Sequence, residues 1–128
     1  MGRRSIGLAV IALAGSAAAN WPQALADPLP ASVGQCSQTT IAEIGSRLQG
    51  APNSGSAISF ANGGDQVSYD IVPAITRSRR GDPVMMCLVT IPQGCPPGDD
   101  RGRVYTTTNL RTHESWTLPD AQHSCGGA

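Results

Sequence analysis

Ser56-Ala57-Ile58-Ser59-Phe60-Ala61, then Asn62-Gly63-Gly64-Asp65, then Gln66-Val67-Ser68-Tyr69-Asp70-Ile71-Val72: two alternating runs flank a glycine-rich turn. Alternation with period two puts one set of side chains on one face of a strand, and the turn residues tolerate the backbone angles that reverse it. The stretch reads as a β-hairpin, with Ile58 and Phe60 on one inward face and Val67, Tyr69 and Ile71 on the other strand's.

Working outward, the same punctuation recurs. Pro83 to Ile91 is apolar on both faces, with Val84, Met86 and Leu88 opposite Met85, Cys87, Val89 and Ile91. Such a run suits a strand covered on both sides. Gly102 to Thr108 and Glu114 to Leu118 predict a second hairpin across Asn109-Leu110-Arg111-Thr112, helped by the β-branched run Thr106-Thr107-Thr108. Thr39 to Leu48 fits a helix by the spacing of Ile41, Ile44 and Leu48, and a strand by period two. Gly45 in its middle and the flanking threonines tilt it to strand. The expected fold is all-β: a small antiparallel barrel or sandwich of five to six strands. Its core would draw on Ile41, Ile44, Leu48, Ile58, Phe60, Val67, Tyr69, Ile71, Val84, Leu88, Val89, Ile91, Val104, Tyr105, Trp116 and Leu118.

The N-terminus carries an export signature. Arg3 and Arg4 precede a short apolar stretch from Ile6 to Ala19, and Ala24-Leu25-Ala26 is the small-x-small pattern of a signal peptidase site. The stretch is shorter than the roughly 20 apolar residues of a membrane anchor. Arg3-Arg4-Ser5-Ile6 partly resembles a twin-arginine signal, but the flanking residues favour general secretion. Residues 1–26 are thus read as a cleaved signal peptide, 27–35 as a flexible arm and 36–128 as a disulfide-bonded β domain in the bacterial periplasm or medium.

An exported chain meets an oxidising compartment, so Cys36, Cys87, Cys95 and Cys125 are expected to form two disulfides. Three pairings are open. Cys87 with Cys95 and Cys36 with Cys125 is preferred, because Pro92 and Gly94 allow the chain to fold back between the first two. The sequential pairing, Cys36 with Cys87 and Cys95 with Cys125, is close behind. No close cysteine pair suggests a metal, and no metal or cofactor is expected.

All nine basic residues are Arg; two fall in the signal, leaving seven against nine acids, a net charge of −2. That balance argues against nucleic acid as a partner and gives no attraction to anionic membranes. Arg77, Arg79 and Arg80 form one basic cluster, which Arg101 and Arg103 would join if their loops share an end of the barrel. Planar guanidinium forks suit carboxylates and phosphates, hence a protein or an anionic glycan. The plainer alternative is a solvated loop answering Asp82 and Asp70. Arg80-Gly81-Asp82 also spells the tripeptide integrins recognise, though Pro83 after it indicates a turn. Asp99 and Asp100 occupy the most polar loop, where paired carboxylates could serve acid–base chemistry and Arg101 supplies a counter-charge. His113 and His123 are the candidate bases. Adjacent strand residues point to opposite faces, so His113-Glu114-Ser115 is not a preassembled triad. Tyr105, Thr107, Trp116 and Leu118 share a face of the second hairpin and are read as core.

Gly102-Arg103-Val104-Tyr105 on a strand, followed by Trp116, resembles the small periplasmic lysozyme-inhibitor barrels of bacteria, which present a small-residue-x-x-Tyr element to the enzyme. The likeness spans about a sixth of the chain after the signal, and the family's Lys-containing motif is absent. The function expected from the residues is an exported, non-catalytic binding protein of the cell envelope, touching its partner through Arg77, Arg79, Arg80, Asp99, Asp100, Arg101 and Arg103. The alternatives are a small hydrolase using Asp99 or Asp100 with a histidine, and a structural or stress protein without a discrete ligand.

Overall fold

The computed structural model describes Gly2 and residues 27–127; the signal peptide expected over residues 1–26 lies outside the described residues apart from Gly2. Six strands form one antiparallel sheet: β1 (Cys36–Leu48), β2 (Ala51–Phe60), β3 (Asp65–Ser68), β4 (Pro83–Thr90), β5 (Val104–Asn109) and β6 (Ser115–Pro119). Their order across the sheet is β3-β2-β1-β4-β5-β6. A single four-residue helix, α1 (Pro73–Thr76), lies between β3 and β4.

β1 organises the sheet. Its 13 residues would span about 43 Å if straight, at roughly 3.3 Å per residue, too long for a small domain to cover. It changes partner midway instead. Cys36 to Thr40 pair with β4, and Ile41 to Leu48 pair with β2, with an irregularity between Ile41 and Glu43. An extra residue at such a point bends the strand and sharpens its twist. The sheet curls, and its two edge strands, β3 and β6, approach each other.

Ile41, Ile58, Phe60, Val84, Met86, Leu88, Tyr105 and Trp116 point into the curl. α1 adds Ile75, which is 1% exposed; nothing in its short segment signals a helix except Pro73 at the first turn, where a missing N–H costs nothing. Buried hydroxyls bond to the chain around them: Ser37 donates to the Pro28 carbonyl, Thr39 accepts from the Asn62 N–H, and Ser56 accepts from the Val72 N–H. The segment 27–35, expected as an arm, lies along β1 and β4. The Asp27 N–H donates to the Gln38 carbonyl, the Gly34 N–H donates to the Leu88 carbonyl, and Pro30 is buried.

Both predicted hairpins form, and Thr39 to Leu48 is strand. The glycine turn closes through the Gly63 N–H on the Phe60 carbonyl, with Gly63 at φ +85°. Gly55, at φ +123°, permits close passage of the backbone at Ser68 and Tyr69, where any Cβ would collide.

The face of β3 is reversed from expectation. Ile58 pairs with Gln66, so Gln66 is inward and 1% exposed, while Tyr69 and Ile71 are 57% and 51% exposed. Register is set by turn length, and a one-residue step swaps every side chain across the sheet. Leu48 and Val89 are likewise exposed rather than core. On β4 only the Val84, Met86 and Leu88 face is fully covered; Met85 and Cys87 are half-buried.

The preferred disulfide pairing is corrected: Cys36 bonds Cys87, and Cys95 bonds Cys125. Cys36 and Cys87 are direct register partners on β1 and β4. β4 runs extended to Thr90 before the chain turns, so Cys87 is committed to its neighbour strand and cannot fold back to Cys95. Cys95, in the turn beyond, meets the C-terminal tail, whose Cys125 N–H is held by the Arg101 carbonyl.

Candidate functional site

The Arg77–Asp82 loop sits at the end of the sheet where β4 begins and β5 ends, since Val84 pairs with Asn109. It is seated on the bend of β1 by the Gly81 N–H on the Ile41 carbonyl and the Ile41 N–H on the Asp82 carbonyl. Asp82 is 6% exposed. Its carboxylate accepts from Arg111 at 2.7 and 2.9 Å, from the Asn109 amide at 2.9 Å and from the Arg79 N–H at 2.8 Å. The Arg111 guanidinium, ahead of the other donors, holds this carboxyl far below the usual carboxylate range. With Asp82 enclosed in this way, Arg80-Gly81-Asp82 does not present its carboxylate as an adhesion tripeptide would.

The three arginines of the cluster diverge. Arg77 pairs with Glu114 at 2.7 Å, and Arg80 donates to the Ala42 carbonyl and to Glu43. Arg79 contributes its backbone N–H to Asp82 while its residue is exposed. Asp82 is answered by Arg111, which sequence reasoning passed over. The Asx geometry of Asn109, whose Oδ1 accepts from the Arg111 and Thr112 N–H groups, was the available clue.

Asp99, Asp100, Arg101 and Arg103 stand at the other end, where β4 finishes and β5 starts. Arg101 and Arg103 therefore do not join the Arg77 cluster: β5 separates them, and its two ends bear the two loops. Arg101 grips Asp99 through two contacts at 2.9 Å, and the Gly126 N–H adds a third donor. These donors, Arg101 first, hold the Asp99 carboxyl well below its usual range. Asp100 is exposed. The Arg103 Nε is buried without a hydrogen-bond partner. Gly102 lies against Ser124, and Tyr105 is 3% exposed and belongs to the core.

Among the described residues, neither histidine side chain hydrogen-bonds Asp99 or Asp100. His113 occupies a left-handed turn position at φ 61°, where its backbone, not its ring, closes the β5–β6 loop through the Asn109 carbonyl.

Between the sheet edges lies a cleft of about 580 Å³. Ile44, Ile58 and Val67 supply its aliphatic wall; Glu43, Asp65 and Asp120 supply carboxylates. No β3–β6 ladder spans the gap among the described residues. Gln66 does so alone: its amide donates to the Tyr105 and Leu118 carbonyls at 2.7 and 3.1 Å, and its oxygen accepts from Thr107 and Trp116 at 2.6 and 2.9 Å. On the outer side Arg47 donates to the Ser54 carbonyl and to Gln122, and stacks over Tyr69 with 4.2 Å to the ring centroid. Burial raises the Asp65 carboxyl above its ordinary value, and the charge of Asp120 adds to this. Asp120 is raised chiefly by burial too, against the opposing Gly102 and Arg103 N–H groups and the Arg103 charge. The cleft is assembled from positions that carry no motif, so no sequence signal singled it out except the misplaced polarity of Gln66.

No family model, curated protein or solved structure matches this chain.

Proposed function

We propose that this is an exported, non-catalytic binding domain whose ligand, a protein or other cell-envelope component, seats in the β3–β6 cleft. The observation that carries the reading is the cleft itself. It is a cavity of about 580 Å³ whose lining combines aliphatic, amide and carboxylate groups and includes neither histidine. The two disulfides are consistent with an oxidising, exported setting. Arg77 and Arg80 meet Glu114 and Glu43 but keep exposed side chains, so the Arg77, Arg79 and Arg80 loop is the second candidate contact.

Gly45 gives the test. It lines the cleft, and a Cβ there meets nothing within 4 Å, so Gly45→Trp adds bulk at the cleft wall with no clash at its Cβ. Oxidised protein immobilised against an envelope extract should capture a partner that Gly45→Trp loses and the triple Arg77→Ala, Arg79→Ala, Arg80→Ala variant keeps. Undiminished capture by Gly45→Trp, with loss in the triple variant, would move the site to the arginine loop.

A further inference from the structure

The two disulfides differ in setting. Val84, Met86 and Leu88 fill the inner face of β4, and Ser37 and Thr39 the inner face of β1, so Cys87 and Cys36 project from the outer face. Cys36 is exposed, whereas Cys87, Cys95 and Cys125 are half-buried. Cys36 and Cys87 stand directly opposite each other, with Cα atoms 4.0 Å apart. Leu88, the next residue, spends its N–H on the Gln35 carbonyl and its C=O on the Gly34 N–H. The two cysteines are therefore the intervening non-hydrogen-bonded pair, the arrangement that brings opposed side chains closest.

We propose that Cys36–Cys87 is a thiol-exchange site, at which a low-molecular-weight thiol is carried as a mixed disulfide on Cys36. The site lies on the outer face of the sheet and does not depend on the cleft. The incoming thiolate attacks the Cys36 sulfur, and the bond between Cys36 and Cys87 breaks. Its electron pair leaves on the Cys87 sulfur, which takes a proton from water. One S–S bond replaces another, so the step consumes no further oxidant or reductant. In the reverse step the Cys87 thiolate attacks the Cys36 sulfur, restores the bridge and expels the small thiol as its thiolate.

Access favours this bond, because exchange needs an open approach to a sulfur and exposed disulfides are the labile ones; Cys36 is the exposed member of the four. Charge favours it too. Its neighbours on the outer face are Gln38, Met85 and Val89 on the same two strands and Thr106 across β5, and none of them carries a charge that would repel an arriving thiolate. The sheet then makes the reaction reversible. Pairing from Ser37 with Met86 to Thr40 with Pro83 holds one side, and the Gly34 and Gln35 bonds to Leu88 hold the other. Cys87 thus stays beside Cys36 after the bond opens, at high effective concentration. Cys95 and Cys125 have no such frame. They join the turn after β4 to the C-terminal tail, with no strand pairing between their segments among the described residues.

Reduced glutathione serves as the probe. Oxidised protein is incubated with it at neutral pH, samples are quenched in acid and alkylated, and the peptides are read by mass spectrometry while circular dichroism follows the sheet. The Cys36–Cys87 bond should open about ten-fold faster than Cys95–Cys125, giving glutathione on Cys36 and a free Cys87 while the strand signal persists. Removal of free glutathione should restore Cys36–Cys87 without scrambling. Cys87→Ser, loaded at Cys36 with oxidised glutathione, should keep its adduct through the same removal, since the returning thiolate is gone. Adducts forming first on Cys87, Cys95 or Cys125 would overturn the site. So would opening of both bridges at one rate, strand signal lost before the adduct appears, or an adduct on Cys87→Ser that leaves as fast as the parent's. Capture by Gly45→Trp bears on the cleft alone and leaves this site untouched.

Discussion

Asp82, and the Asp65 and Asp120 that line the cleft, are carboxylates that end in opposite electrostatic states. Asp82 is the most enclosed of them, yet it remains strongly acidic because Arg111, Asn109 and the Arg79 N–H converge on it. Asp65, which is exposed, and Asp120, which is half-buried, hold their protons more tightly, since desolvation and a neighbouring carboxylate, Asp120 at the first and Asp100 at the second, outweigh the donors they receive. Depth therefore does not decide ionisation in this molecule; the supply of donors does. One end of the sheet is a closed charge network that holds a loop, and the cleft carries carboxyls without an ion-pair partner among the described residues.

The comparison can be broken hardest at Gln66. Gln66→Leu keeps volume but strands the Thr107 hydroxyl and the Trp116 N–H, and takes a second donor from the Tyr105 and Leu118 carbonyls. At roughly 1–3 kcal/mol for each buried polar group left unpaired, with relaxation and water entry recovering part, a loss of about 3 kcal/mol is expected in urea unfolding. A loss under about 1 kcal/mol would mean the edges are held by packing and not by this amide.

Asp82→Asn sharpens it next. The variant keeps the shape but removes the charge that Arg111 binds, for a loss of about 2 kcal/mol at neutral pH, discounted because Arg111 is partly exposed. The sign of the pH dependence separates the two regions. A carboxyl lowered on folding contributes stability that is fully present above its unfolded value of about 4 and is lost as pH falls from there toward the folded one. Asp65 and Asp120, each raised on folding, have the opposite slope. Stability against pH should thus lose part of its acid limb in Asp82→Asn, and an unchanged limb would show that Asp82 is not the group responsible.

The smallest effect belongs to Arg77→Ala. Its single Nε donates to both Glu114 oxygens, and Arg77 is 58% exposed at the side chain. Exposed pairs contribute at most about 1 kcal/mol, so thermal unfolding should shift little, and less still in high salt. A large shift would mark the arginine loop as structural rather than a contact surface.

Much of the fold was legible because β-hairpins announce themselves locally. Asn62-Gly63-Gly64 and Asn109 with its following residues mark the turns, and the alternation on either side marks the strands. Gly45 and the threonines near it correctly outweighed the helical spacing of Ile41, Ile44 and Leu48. The site was far less legible. Arg77, Arg79, Arg80, Arg101 and Arg103 share a residue type, and the sequence has no term for the length of β5 that sets the two groups at opposite ends. The cleft residues Glu43, Asp65 and Asp120 come from three separate segments, none of which is distinctive alone.

By itself, then, the sequence determined an all-β chain whose four cysteines pair off in two disulfides, because composition, alternation and turn chemistry act over a few residues. Which cysteines meet, which face of β3 turns inward and which carboxylates share a cavity were decided only by tertiary structure. Each depends on register across strands and on where β1 bends, and these are settled by the joint packing of Ile41, Ile58, Phe60, Met86 and Trp116 in one core.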